Sequence, residues 1–195
     1  MDTAKVLEPA VFLDRDGVLN EGGKLNSVSE LKLLPQAAAS MRRLKAAGRK
    51  RILVTNQGGL GEDLNGNRFW KGAPMTRAQL QAIHDEMCRR LGPGAPDLIK
   101  FCPHSKSIEC LCRKPLPGML REAAAELEIA LARSYMIGDM VTDIEAGLAA
   151  GCTPILVCTG FDKTQKDKCP PATIIVPSIK EAVDFVLADL EKRAH

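Results

Sequence analysis

Six short apolar runs, at residues 10–13, 51–55, 98–101, 135–137, 154–158 and 173–176, alternate with stretches of helical periodicity. Ala37, Met41 and Leu44 share one helical face, which Gly48 is placed to end. Thr76 and Gln79 have capping-box spacing, and Leu80, Ile83, Met87 and Leu91 follow at helical intervals. Leu120, Ala124 and Leu127 form a third stripe, and an Ala-rich segment from Asp143 stops at Gly151. A last helix opens at Ser178 and Glu181 and carries Val183, Val186, Leu187 and Leu190. Strands joined by helix-length crossovers lie parallel, and a parallel sheet needs both faces covered. The pattern therefore predicts one Rossmann-like α/β domain over residues 1–195, with a mostly parallel sheet and helices on both faces.

Composition narrows the function classes. The formal net charge is +3, Lys and Arg are dispersed, and aromatics are only 4% of the chain. That excludes the basic, aromatic-laced stripe of a nucleic-acid binder. No apolar run approaches the ~20 residues of a membrane span, and the start of the chain lacks the pattern of a signal peptide. Seven cysteines, an odd number, predict reduced thiols and a cytoplasmic protein. The longest irregular stretch, residues 58–74, holds Arg68, Phe69, Trp70 and Lys71 and reads either as a solvated loop or as a flap over a substrate.

The chemistry sits where strands end. The run "VFL" leads into Asp14 and Asp16, with Gly17 next; "YMIG" leads into Asp139, with Asp143 beyond. In an open parallel sheet, ligands bind at the carboxyl ends of the strands. Two acidic clusters there repel one another unless a cation lies between them. Oxygen ligands of this kind suit magnesium. A third strand end supplies Thr55 and Asn56 as neutral donors, with Gly58 and Gly59 for close backbone approach. "CRKP" adds Arg113 and Lys114, cations that hold phosphate. Carboxylates, a divalent metal, a hydroxyl and a lysine describe phosphoryl transfer, in which an Asp can act as nucleophile.

Cys102, His104, Cys110 and Cys112 have the spacing C-x-H…C-x-C. Three thiolates and an imidazole fit tetrahedral zinc, and a site filled by four protein ligands is structural. A disulfide is the rival reading, disfavoured because thiols two residues apart bridge poorly. A zinc-folded loop over 102–112 would deliver Arg113 and Lys114 to the phosphate.

With these motifs in order, the chain resembles the haloacid dehalogenase-superfamily phosphatases. Asp14-Arg15-Asp16-Gly17-Val18 matches the first motif, Thr55 the second, Lys114 the third, and Gly138-Asp139 with Asp143 the fourth. Within that superfamily, "DRDG", "TNQ" and "CPH…CLCRKPLPG" are similar to D-glycero-D-manno-heptose 1,7-bisphosphate and histidinol-phosphate phosphatases. The resemblance implies a nucleophilic Asp14 and an Asp16 that protonates the leaving oxygen and then activates water. It implies magnesium on Asp14, the backbone carbonyl of Asp16, and Asp139, and a phosphoryl group bound by Thr55 and Lys114 with Asn56 and Arg113 nearby. Asp143 is left to orient Lys114 or the metal's waters, or to cap the next helix.

The segment after the first motif, "NEGGKLNSVSELKLLP", lacks the Tyr of the family's "GYV" stretch, and the 58–74 loop is long. The gaps between motifs leave no room for a large cap domain. The expected partner is a small phosphorylated metabolite, met by a monomer or small homo-oligomer. The competing expectation is a catalytically silent, zinc-stabilised interaction module, which should lack a catalytic Asp; Asp14, Asp16 and Asp139 are all present. Of the remaining residues, His84 reads as a surface histidine and Cys88, Cys152 and Cys158 as core thiols, with Cys169 exposed.

Overall fold

In the computed structural model, residues 7–68, 72, 74–160 and 162–193 are described. Six strands, β1 (Ala10–Leu13), β2 (Lys50–Asn56), β3 (Leu98–Cys102), β4 (Tyr135–Gly138), β5 (Thr153–Val157) and β6 (Ile174–Val176), form one sheet in the order β3-β2-β1-β4-β5-β6. Every pairing is parallel. Five helices, α1 (Ala37–Ala46), α2 (Arg77–Leu91), α3 (Gly118–Leu127), α4 (Val141–Ala150) and α5 (Ile179–Arg193), cover it.

Alternation along β1 explains the layers. Val11 and Leu13 face a core with Met41 and Leu44 of α1, Ile83 and Met87 of α2, and Val183 and Val186 of α5. Ala10 and Phe12 face the opposite core with Met119 and Leu120 of α3 and Ala146 of α4. Successive strand side chains point to opposite faces, so four residues seed both cores. The expected caps form. Thr76 Oγ1 accepts from Gln79 N at 3.2 Å while Gln79 Oε1 accepts from Thr76 N at 2.8 Å, and Ser178 Oγ accepts from Lys180 N at 3.2 Å to open α5.

The chain winds outward from β1 through β2 to β3, then returns to β4 on the other side of β1 and continues to β5 and β6. The direction of winding reverses between β1 and β4, where the connections diverge and leave a crevice at the carboxyl ends. Among the described residues no inserted domain stands over that crevice.

Two sequence expectations are corrected. His84 is buried, at 3% exposure. It lies four residues after Leu80 and three before Met87, so it shares their inward stripe on α2. Cys158 is exposed, because β5 ends at Val157 and the next residue leaves the covered sheet. The 58–74 loop opens with a 3-10 turn at Gly58–Leu60 and folds Glu62 inward against Arg77. Phe69, Trp70 and Lys71, the centre of the supposed flap, lie outside the described residues.

Candidate active site

Asp14 follows the last residue of β1, and its backbone N–H donates to Ile137 O of β4 at 2.9 Å. Asp139 follows the last residue of β4. The two carboxylates therefore stand side by side at the reversal of the sheet, joined by Asp143 from the first turn of α4. One oxygen from each of the three lies within 4.8 Å of the others, and all three side chains are buried.

Lys114 enters this cluster from the segment after the cysteine loop. Its Nζ lies 2.9 Å from Asp14 Oδ1 and 2.7 Å from Asp143 Oδ1, and donates to Val54 O at 2.7 Å. Burial opposes its charge, but the two carboxylates win and hold the ammonium above the usual lysine range. One cation does not balance three carboxyls. Burial, and then the charges of Asp143 and Asp14, push Asp139 up to about 8. Burial and the Asp14 charge also raise Asp143, to about 6, against the pull of Lys114. Asp139 Oδ1 is buried with no hydrogen-bond partner. A buried carboxylate left without a donor is costly. Hard, crowded oxygens with an orphaned lone pair fit a small divalent cation such as magnesium.

Glycine makes the cluster compact. Gly138 has no Cβ because one would collide with the Asp143 carboxylate. Asp143 serves twice: Oδ1 meets Lys114, and Oδ2 accepts from Met140 N at 3.1 Å, capping α4. Both alternatives left open by the sequence are realised in one side chain.

Asp16 stands outside the cluster but lines the same cavity as Asp14. Its Oδ1 accepts from Arg15 Nε at 3.1 Å and Asn20 Nδ2 at 2.9 Å, and its Oδ2 accepts from Arg15 Nη2 at 2.9 Å. Its carboxylate is thus placed beside the crevice and not among the oxygens that crowd Asp14. Thr55 Oγ1, at the end of β2, accepts from Gln57 Nε2 at 2.9 Å. Asn56 is committed to the backbone of Lys114, accepting from its N and donating to its O at 3.1 Å each. It braces the strand end against the Lys114 segment. Arg113 donates to His104 O at 3.1 Å. Asp14, Asp16, Thr55, Asn56, Arg113, Lys114 and Asp143 all border one open cavity of about 920 Å³. A smaller cavity of about 260 Å³ shares Asp16, Asn56, Lys106 and Arg113 with it and adds Lys24.

The cysteine loop converges as its spacing predicts. Cys110 Sγ lies 3.7 Å from Cys102 Sγ and 3.6 Å from Cys112 Sγ, and His104 Nδ1 lies 3.2 Å from Cys112 Sγ. Tetrahedral ligands about 2.3 Å from a zinc ion would place their sulfurs roughly 3.8 Å apart. All seven cysteines are free thiols, so the disulfide alternative is not realised. Burial, and then the neighbouring sulfurs, push the Cys112 thiol up; the three sulfurs can be thiolates together only with a cation between them.

The structure brings Asp14, Asp139 and Asp143 into one cluster, and Cys102, His104, Cys110 and Cys112 into another. It also sets Arg15, Asn20 and Gln57 around Asp16. Arg15 and Gln57 lie within the "DRDG" and "TNQ" motifs, which assign them no role, and the inward place of His84, the partner of Arg15, is legible only in the spacing of α2.

The HAD-hydrolase-like family model matches residues 111–182. A D-glycero-beta-D-manno-heptose-1,7-bisphosphate 7-phosphatase of Yersinia pestis is 38% identical over 94% of this chain and 94% of its own length. The enzyme of the same name from Bordetella bronchiseptica is 40% identical over 77% of this chain and 80% of its own length. The crystal structure of D,D-heptose 1,7-bisphosphate phosphatase from B. bronchiseptica, complexed with magnesium and phosphate, superposes with a TM-score of 0.83 at 34% identity, covering 93% of this chain and 99% of that one. The six-stranded parallel sheet, the acidic crevice at its reversal point and these relatives lead to one conclusion: the chain is a phosphatase and belongs to the haloacid dehalogenase-like hydrolases.

Proposed function

We propose that the protein hydrolyses a phosphate monoester of a small sugar, D-glycero-D-manno-heptose 1,7-bisphosphate being the substrate that its relatives' names suggest, through a phosphoaspartate on Asp14. The observation that carries the reading is Asp14 itself: a buried carboxylate at the sheet's reversal point, ion-paired to Lys114 at 2.9 Å and open to a large cavity. An Asp14 oxygen attacks phosphorus, forming the P–O bond of an acyl phosphate as the ester P–O bond breaks. Asp16 gives its proton to the departing sugar oxygen. The same carboxylate then takes a proton from the water that attacks the phosphoaspartate, releasing phosphate and restoring Asp14. Lys114 pairs with Asp14 and holds its carboxylate in place, while Thr55 and Arg113 donate to phosphoryl oxygens.

Magnesium held by Asp14, Asp139 and the Asp16 carbonyl would neutralise charge on the phosphoryl group. Asp143 fixes Lys114 beside it. The Cys102–His104–Cys110–Cys112 cluster would hold structural zinc, which would shape the loop that ends in Arg113 and Lys114. Lys24 and Lys106, lining the adjoining cavity with Arg113, favour a substrate with a second anionic group.

Two variants test the chemistry. Asp14→Asn should fold and lose turnover by about three orders of magnitude or more, since an amide does not attack phosphorus; near-normal rates would rule out the phosphoaspartate. Asp16→Asn should lose more kcat/KM on an alkyl phosphate than on 4-nitrophenyl phosphate, whose leaving group departs without a proton. Equal losses would remove Asp16 from the acid role. Initial rates on heptose bisphosphate, other sugar phosphates and histidinol phosphate decide the substrate, and a clear preference for histidinol phosphate would overturn the sugar assignment.

A further inference from the structure

Arg15 is one of the largest fully buried side chains, at 1% exposure. Nothing in phosphoryl transfer as derived above requires it. Burying a guanidinium is expensive unless each donor finds an acceptor, so its contacts show what the burial serves. Nε and Nη2 grip both oxygens of Asp16 as a fork, at 3.1 and 2.9 Å. Nη1 faces Nε2 of His84 on α2 at 3.4 Å. Arginine has donors only, so the His84 nitrogen that faces it is the unprotonated one. Burial, and then the Arg15 charge, hold His84 down at about 4, so it stays a neutral acceptor at neutral pH. The His84 ring packs 6.1 Å from that of Phe101 on β3, which limits its rotation.

Arg15 and Asp16 lie in the bend that follows β1, and a free arginine would not hold a bidentate grip on its own neighbour against its rotamer entropy. The guanidinium stays there because the core confines it and His84 holds its far edge. Asn20 Nδ2 completes the cradle on Asp16 Oδ1 at 2.9 Å.

We propose that Arg15 and His84 are positioning residues for Asp16: His84 on α2 anchors the Arg15 guanidinium, and the guanidinium aims the Asp16 carboxylate at the leaving oxygen. The inference rests on the acid role of Asp16 proposed above. The line of aim runs from a helix packed on the sheet, through the Arg15–His84 contact that joins residues 69 positions apart in sequence, to the reacting group.

The test is the ratio of kcat/KM on a simple alkyl phosphate, which carries no second anionic group, to that on 4-nitrophenyl phosphate. This ratio reports leaving-group departure and is blind to the later hydrolysis step. His84→Leu removes the acceptor, while His84→Gln keeps an acceptor at the distance of Nε2. Proton transfer by a positioned group contributes about 10²–10⁴-fold; loss of aim should forfeit roughly tenfold of it. His84→Leu and Arg15→Lys should therefore lower the ratio about tenfold, and His84→Gln should restore it. His84→Asn, whose amide stops one bond short, carries the same test if the leucine variant does not fold. A purely structural His84 would lower both rates together and the melting temperature with them, leaving the ratio unchanged; that result in both His84→Leu and His84→Asn overturns the proposal. Asp16→Asn run in parallel separates the two readings. If it lowers the ratio and the His84 variants do not, the positioning role fails alone; if Asp16→Asn leaves the ratio intact, the acid role has failed first.

Discussion

Gly17 has a φ of +78°, and a Cβ there would run into the Asp139 carboxylate. The residue is required twice, by the left-handed turn that follows Asp16 and by the space that Asp139 occupies. Gly17→Ala should cost about 1–2 kcal/mol from the backbone alone and push Asp139 out of line with Asp14. We expect a lower melting temperature together with at least tenfold weaker magnesium binding, measured by titration calorimetry. Unchanged magnesium affinity in the alanine variant would mean that Asp139 is not a ligand. Lys114 likewise serves more than one purpose: three short contacts occupy its ammonium, so it holds Asp14 and Asp143 in place at once.

At the scale of elements, the cysteine loop is the part with least apolar support. Between Cys102 and Cys110 the side chains are mostly polar and only half-buried or exposed. Ordering such residues costs on the order of 1–2 kcal/mol each, and the four convergent ligands are what can offset it. The loop's exit carries Arg113 and Lys114, and Asn56 clamps the Lys114 backbone to the end of β2. Cys110→Ser should thus lower zinc content, turnover and substrate affinity together, although Cys110 is no part of the reacting centre. A misplacement of about 1 Å can cost roughly 100-fold in rate. Added magnesium should not rescue the variant, because Asp14 and Asp139 follow other strands. Metal analysis beside steady-state kinetics checks this; a zinc-free variant with wild-type kinetics would make the loop a bystander.

For the molecule as a whole, the acidic crevice couples folding to pH and to metal. A carboxyl whose folded pKa is raised binds its proton more tightly folded than unfolded, so stability falls as pH rises. Asp139, at about 8 against an ordinary 3.8, makes the metal-free protein lose stability from about pH 4 to pH 8. Asp143, at about 6, adds to the loss in the lower half of that window. His84 works in the opposite sense, since its lowered pKa makes stability rise with pH, but only up to about 6.5. The interval from about 6.5 to 8 therefore belongs to Asp139. Magnesium bound at Asp139 would take the place of the lost proton, so the rise in melting temperature on adding it should grow across that interval. Melts with and without magnesium at pH 6.5, 7.2 and 8 test this on the zinc-loaded protein, and a shift independent of pH would contradict it.

Much of this was legible in the chain because local rules and the global fold agree. Short continuous apolar runs such as 10–13, the Thr76 and Ser178 caps, and acids placed just after apolar runs specify a parallel sheet with carboxylates at its strand ends, whatever their exact packing. The ligand set at Cys102, His104, Cys110 and Cys112 was legible for the same reason, since short spacing limits where such groups can go. The strand order was not written in any local pattern. That β1 and β4 become neighbours, so that Asp14 meets Asp139, follows from which crossover packs on which face. The inward turn of His84, the double use of Asp143 and the grip of Arg15 on Asp16 likewise appear only when helix, sheet and loops close on one another. Side-chain direction at a buried polar residue is set by the partners that offset its desolvation, and those partners come from distant parts of the chain.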